Sequence, residues 1–245
     1  VFHASVSCQT HCHFAMALAA AALRRGMTSA AAEPVRPSYA ILIAISAVGP
    51  LALNIFMPSM PGLQLEFGVT YGVVQLTLTL YLIGMAVCQL VYGPMSDRVG
   101  RRPMLLGGLA VFVAASLMAA VAPTIEVLIA ARLLQALGGA AGIVLARAMV
   151  RDVFDRETSA SVISYITMAF VVAPMIAPAL GGLLDQHLGW RWDFWLLAGL
   201  GAIVLAAAWR FLPETHVTRN NAGTGMGLIS GAARLFALPR FRGYT

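Results

Sequence analysis

Lysine is absent from this sequence, and charge of either sign is scarce. Sixteen arginines face ten carboxylates in 245 residues, so that 11% are charged against 60% hydrophobic, with a mean hydropathy of +0.82. A soluble domain carries about 25% charged residues because its surface must face water. A chain with so few cannot cover such a surface, and its solvent must be mostly lipid. The net charge of +6 would suit nucleic acid only if the basic residues shared one solvated face. The arginines instead fall in short clusters between apolar runs, which excludes nucleic acid as a partner and is how a membrane protein encodes its topology. Cysteine is equally sparse. Cys88 lies inside an apolar run and reads as packing. Cys8 and Cys12, with His3, His11 and His13, have no second ligand pair at a zinc-type spacing, so no metal and no other cofactor is expected.

What the chain does have is long uncharged stretches. Residues 37–65, 67–96, 103–125 and 158–184 contain no Asp, Glu, Lys or Arg. About 20 apolar residues at 1.5 Å each cross the hydrocarbon, so four spans follow directly. Residues 127–146 make a fifth with one internal charge, Arg132, and 194–212 make a sixth if Arg210 reaches back to the interface. The expected boundaries are 39–60, 70–93, 104–122, 126–149, 158–184 and 193–212. Each is helical, because a segment in lipid must satisfy its own backbone hydrogen bonds, and no ten-residue alternation typical of barrel strands is present.

Fourteen of the sixteen arginines fall on one side of these spans, leaving Arg191 on the other and Arg132 within the membrane. Positive residues stay inside, so both termini are expected in the cytoplasm. Glu66, Glu126, Asp185 and Asp193 then lie outside, with Trp190, Trp192 and Trp195 as an interfacial aromatic anchor. Residues 1–38 read as an N-terminal cytoplasmic extension, either disordered or upstream of a natural start at Met27. Residues 213–245 read as a cytoplasmic linker. Within it Leu228–Phe241 pairs apolar residues with arginines as an interfacial amphipathic segment.

Between the second and third spans stands Gly93-Pro-Met-Ser-Asp97-Arg98-Val-Gly100-Arg101-Arg102. Gly93 would let another helix approach closely, Asp97 can cap a helix or pair with an arginine, and Gly100 permits a tight reversal. Arg101 and Arg102 can reach carboxylates or lipid phosphate. An ordinary basic loop explains the arginines but not the glycines and Asp97 together. The stretch resembles the signature loop of the major facilitator superfamily, Gly-x-x-x-Asp-Arg-x-Gly-Arg-Arg/Lys. The resemblance implies a conformational latch in which Asp97 and Arg101, with Asp152 as third member, form a switchable charge network.

Two further stretches carry the likeness. Arg132-Leu-Leu-Gln135-Ala-Leu-Gly138 resembles the family's Arg-x-x-Gln-Gly-x-Gly with the first glycine shifted. An arginine at membrane depth costs about 2.5–3.5 kcal/mol and needs a partner, a wet cavity or an outward snorkel. Gln135 lies one turn away on the same face, so both could line one cavity. Ala173-Pro174-Met-Ile-Ala177-Pro178-Ala-Leu-Gly181-Gly182 is similar to the antiporter motif Gly-Pro-x-x-Gly-Pro-x-x-Gly-Gly. Two prolines four apart kink a helix, either as a plain bend or as a gating element. The alanines make the chain look most like the Bcr/CflA-type drug-resistance exporters.

The resemblance implies a six-transmembrane-helix N-terminal half, built as two three-helix inverted repeats. It implies a multi-pass protein of a bacterial-type inner membrane, exporting a small-molecule substrate by alternating access. A second six-helix half or another copy would complete the transporter. An uptake permease and a truncated, non-transporting fragment are the alternatives; no loop holds an enzyme's nucleophile, base and metal. In the family, spans one and four line the cavity, two and five flank it, and three and six face lipid. Beside Arg132 and Gln135, the candidate cavity residues are Asn54, Met57, Tyr81, Gln89 and Met168, with ordinary packing as the alternative for each. One departure matters. Drug/proton antiporters of this kind present Asp before Pro-x-x-Pro in span one, whereas Asn54 precedes Pro58-Ser-Met-Pro61 here. Asparagine cannot titrate, and no acid or histidine is expected inside any span, so a proton as coupling ion has no evident carrier in this half.

Overall fold

A computed structural model of the chain describes residues 38–213. The expected extension before residue 38, the linker after residue 213 and the amphipathic segment lie outside the described residues. Seven α-helices account for nearly all of that range: α1 Tyr39–Ile55, α2 Met60–Phe67, α3 Tyr71–Val99, α4 Arg101–Ala120, α5 Ile125–Val153, α6 Arg156–Leu188 and α7 Arg191–Phe211. With α1 and α2 taken as one broken span, six are long and apolar enough to cross a membrane.

The break in the first span is chemical. Pro58 and Pro61 have no N–H, so the carbonyls one turn before them lose their helical partners. A single 3-10 turn, Met57–Ser59, bridges the gap before α2 resumes and ends on Gly68 at φ 61°. The helix expected to stop near residue 60 therefore continues to Phe67. Elsewhere the helices outrun the uncharged stretches that betray them. α3 and α5 have 29 residues and α6 has 33, about 44–50 Å at 1.5 Å each against roughly 30 Å of hydrocarbon. Charge marks where lipid ends, and the helices end at their caps. Asp155 accepts from the N–H of Glu157 and Thr158 at 3.1 and 3.2 Å at the head of α6, and Thr124 caps α5.

The packing is symmetric in part between the two three-span units, although α4 with α5, the most extensively packed pair, has only a weak counterpart in α1 with α7. α3 lies against α5 as α6 lies against α1, while α1 meets α5 and α4 meets α7. Exchanging the two three-span units maps the first pair onto the second. α5 is the most enclosed helix and α6 the least. Small residues let α5 take the centre: a Cβ on Gly138 would come within 2.5 Å of the Gly108 carbonyl oxygen, and one on Gly142 would strike the Ile45 carbonyl. The third span, α4, expected among the most outlying, is more enclosed than α3, α6 or α7 within this half.

Candidate functional site

At the end of the bundle where α3 turns into α4, Gly93 to Val99 belong to α3, so most of the expected loop is helix. Gly100 alone, at φ 111°, makes the turn into α4. Its brevity places Arg101 one turn from Asp97 and beside the end of α5. Arg101 Nη2 meets Asp97 Oδ1 at 2.8 Å and its Nε meets Asp152 Oδ2 at 3.0 Å. Its Nη1 donates to Ser96 Oγ at 2.6 Å, and Ser96 donates back to the Gly93 carbonyl at 2.8 Å. The guanidinium is nearly buried at 11% side-chain exposure while Asp97 is half exposed at 54%. One cation thus joins α3, α4 and α5. Arg102 donates to the Trp209 carbonyl at 2.7 Å, an orphan acceptor in the last turn of α7, and Arg98 is exposed. Gly93 does not serve as expected: nothing in the described residues comes within 4 Å of a Cβ built there. Instead it lines a basin of about 380 Å³ with Gln89, Asp97, Arg101, Arg147 and Arg151.

Deeper in the bundle, Arg132 is fully buried, and so is Gln135. The expected cavity lining is replaced by a cage. Arg132 Nη1 donates to Gln135 Oε1 at 2.6 Å and to the Ala52 carbonyl at 3.0 Å. Gln135 Nε2 donates to Ser116 Oγ at 2.7 Å, which passes the chain to the Phe112 carbonyl. Three rings surround the guanidinium carbon, Tyr81 at 4.4 Å, Phe56 at 4.9 Å and Phe194 at 5.7 Å. Snorkelling is thereby excluded. The break in span one explains the bond to Ala52, which lies in the last turn of α1 where carbonyls lack helical partners and the dipole favours a cation. A charged hydrogen bond stabilises by about 1.5–3 kcal/mol and each cation–π contact by about 0.5–2, enough together to offset the insertion cost.

The other cavity candidates do not converge. Tyr81 joins the cage and donates to the Gly49 carbonyl at 3.0 Å. Asn54 Nδ2 turns back to the Pro50 carbonyl at 2.7 Å, within its own helix. Gln89 belongs to the basin beside Arg101, while Met57 is exposed in the 3-10 turn and Met168 on α6. In the proline motif, α6 runs unbroken through Pro174 and Pro178. Ala173 and Ala177 are buried with Gly181 along one seam, where a Cβ on Gly181 would collide with the Ile55 carbonyl; Gly182 makes only ordinary contact with Pro58.

Two corrections concern the opposite end of the bundle. Trp190 is buried rather than an interfacial anchor, donating through Nε1 to Glu66 Oε2 at 2.6 Å, and Arg191 pairs with Glu66 Oε1 at 2.6 Å. Trp192 and Trp195 remain exposed, in an apolar groove of about 890 Å³. Asp193, expected in an outer loop, is fully buried in the first turn of α7 and accepts from Ser59 Oγ at 2.9 Å. Sequence reading missed Asp193, Ser59 and the cage walls Phe56 and Phe194. The acid's position three residues into a helix that begins on Trp190-Arg191 was the available signal.

The chain matches the sequence model described as Major Facilitator Superfamily over residues 42–242. It belongs to the major facilitator superfamily. Among curated relatives it is 43% identical to a chloramphenicol resistance protein of Pseudomonas aeruginosa, over 69% of this chain and 41% of the relative. It is 39% identical to multidrug resistance protein D of Escherichia coli, over 72% of this chain and 45% of the relative. The crystal structure of the human organic anion transporter MFSD10 superposes with a TM-score of 0.61 at 24% identity, covering 74% of this chain and 48% of that one. That likeness concerns the fold. The chain therefore spans about half the length of the curated superfamily members it matches, as a six-helix N-terminal half does.

Proposed function

We propose that this chain is the N-terminal half of a secondary transporter that exports small molecules, antibiotics among them, across a bacterial-type inner membrane. The observation that carries the reading is the identity to relatives named for chloramphenicol and multidrug resistance, found in a half whose latch residues share one guanidinium. Both termini lie in the cytoplasm, where the Arg101 network sits. The network holds the cytoplasmic ends of α3, α4 and α5 together in one state and releases them in the other. α3 and α6, which leave rows of apolar side chains uncovered, supply the faces for the second six-helix half or another copy. The Pro174 and Pro178 segment acts as the bend along which α6 yields.

Expression of the full reading frame in bacteria stripped of their own efflux pumps tests this. Accumulated chloramphenicol should fall several-fold, and Arg101→Ala should restore it while leaving the protein in the membrane. Unchanged or raised accumulation of chloramphenicol and of a panel of other drugs would overturn export.

A further inference from the structure

Asp193 is the only fully buried carboxylate among the described residues, and its Oδ1 has no hydrogen-bond partner. Its Oδ2 accepts from Ser59, the last residue of the 3-10 turn that breaks the first span. The adjacent residue, Phe194, is one wall of the Arg132 cage, and Phe56, at the start of the same break, is another. The two rings touch, with centroids 5.5 Å apart. Arg132 in turn leaves Nε and Nη2 without partners. A buried cation against this aromatic pair and a buried anion next in sequence to one of its rings thus each keep unused hydrogen-bonding capacity. A helix-capping role does not explain this. α7 takes no side-chain cap at its N-cap Trp190, and the bond that Asp193 does make runs to Ser59 in the first span, not to the N–H groups of its own helix.

We propose that Asp193 is the proton-binding site of this half, with Arg132 as its counter-charge, standing in for the span-one acid that Asn54 does not provide. The proposal rests on the exporter reading and names its coupling group. A proton from water adds to Oδ1, forming an O–H and cancelling the charge. On the opposite swing that bond breaks and the proton leaves to water at the face then open. The charges that act on Asp193 are Asp185 on α6 and, more weakly, Arg132 on α5. The first span presents neutral Ser59, α3 presents Tyr81 against Arg132, and Glu66 and Arg191 are spent on one another. With Asp193 ionised, the caged guanidinium has an opposite charge nearby and the closed cage is favourable. With Asp193 neutral, Arg132 loses that opposite charge and keeps only its uncharged partners, which shifts the balance toward a state that opens the cage to water or substrate. The Ser59 bond ties the same event to the broken span, the segment free to move because its backbone is not continuous helix.

The test is infrared spectroscopy of the full-length protein in liposomes, titrated across pH. A protonated buried carboxyl gives a carbonyl band that disappears on ionisation. Asp193→Asn should abolish that titrating band while Asp97→Asn keeps it. Ser59→Ala should keep the band but move its frequency, because its hydroxyl touches the same carboxyl; this arm serves if Asp193→Asn does not fold. A titrating band left untouched by both substitutions overturns the site. A second arm measures drug export driven by an imposed proton gradient, which Asp193→Asn should reduce at least tenfold. Loss of the band with gradient-driven export intact overturns the coupling role. A wild type that exports nothing defeats the exporter reading instead, and the infrared result still decides whether Asp193 binds the proton.

Discussion

Gly181 and Gly182 stand side by side in α6 and meet different surroundings. A Cβ on Gly181 would strike the Ile55 carbonyl at the end of α1, whereas the nearest atom to a Cβ on Gly182 is Pro58 Cβ at 3.8 Å. Alanine at either position gains the same helix propensity, about 0.8–1 kcal/mol over glycine, so that contribution cancels when the two variants are compared. What remains is the collision. The obstacle is a backbone carbonyl that cannot rotate away, which places the cost at the upper part of the overpacking range, about 3 kcal/mol. Gly182→Ala should therefore stabilise by about 1 kcal/mol, and Gly181→Ala should destabilise by about 2. In a protein of this size each kcal/mol moves the melting midpoint by roughly 2–4 °C, so the two should melt about 6–12 °C apart. Helicity followed by circular dichroism during heating in detergent measures the gap. If Gly181→Ala melts with Gly182→Ala or above it, α6 does not press on the end of α1 as described.

Three further outcomes follow from the same geometry. Arg132→Leu removes two charged hydrogen bonds and three ring contacts while recovering the insertion cost, a net loss of about 3–5 kcal/mol; an unchanged melting temperature would falsify the cage. Arg101→Asp should abolish transport and destabilise by about 1.5–3 kcal/mol, since it removes charged hydrogen bonds from a nearly buried guanidinium and sets three carboxylates together, and adding Asp152→Arg should restore part of the transport. Hydrogen bonds from Thr158 and from the N–H of Glu157 hold the Asp155 carboxyl below the usual carboxylate range, so its hold on the head of α6 is complete at neutral pH. That hold should fade as acid takes the pH down through this lowered value, seen as faster amide exchange at Glu157 and Thr158, and Asp155→Asn should remove the pH dependence while keeping a cap.

Much of the candidate site was legible because its signals are local. Asp97 and Arg101 are four apart, which on a helical path brings them together whatever surrounds them, and Asp152 follows from a charged residue at the end of α5. Gly93 misled because a small residue invites a close neighbour without stating that one is present in the same half. Trp190 and Asp193 misled for a related reason: polar-tipped residues near a span end look interfacial in a string. Only the packing of α7 against the broken first span shows that both point inward.

The sequence by itself determined the solvent, the number of spans and the turn at Gly100, because hydropathy, helix length and a glycine's freedom act over a few neighbouring residues. The tertiary structure alone decided that Arg132 is caged instead of lining a cavity, and that Asp193 is buried beside it. Those outcomes depend on Phe56, Ala52 and Phe194, which stand 76, 80 and 62 positions away along the chain from Arg132. No local pattern encodes contacts brought together only when α1, α5 and α7 pack.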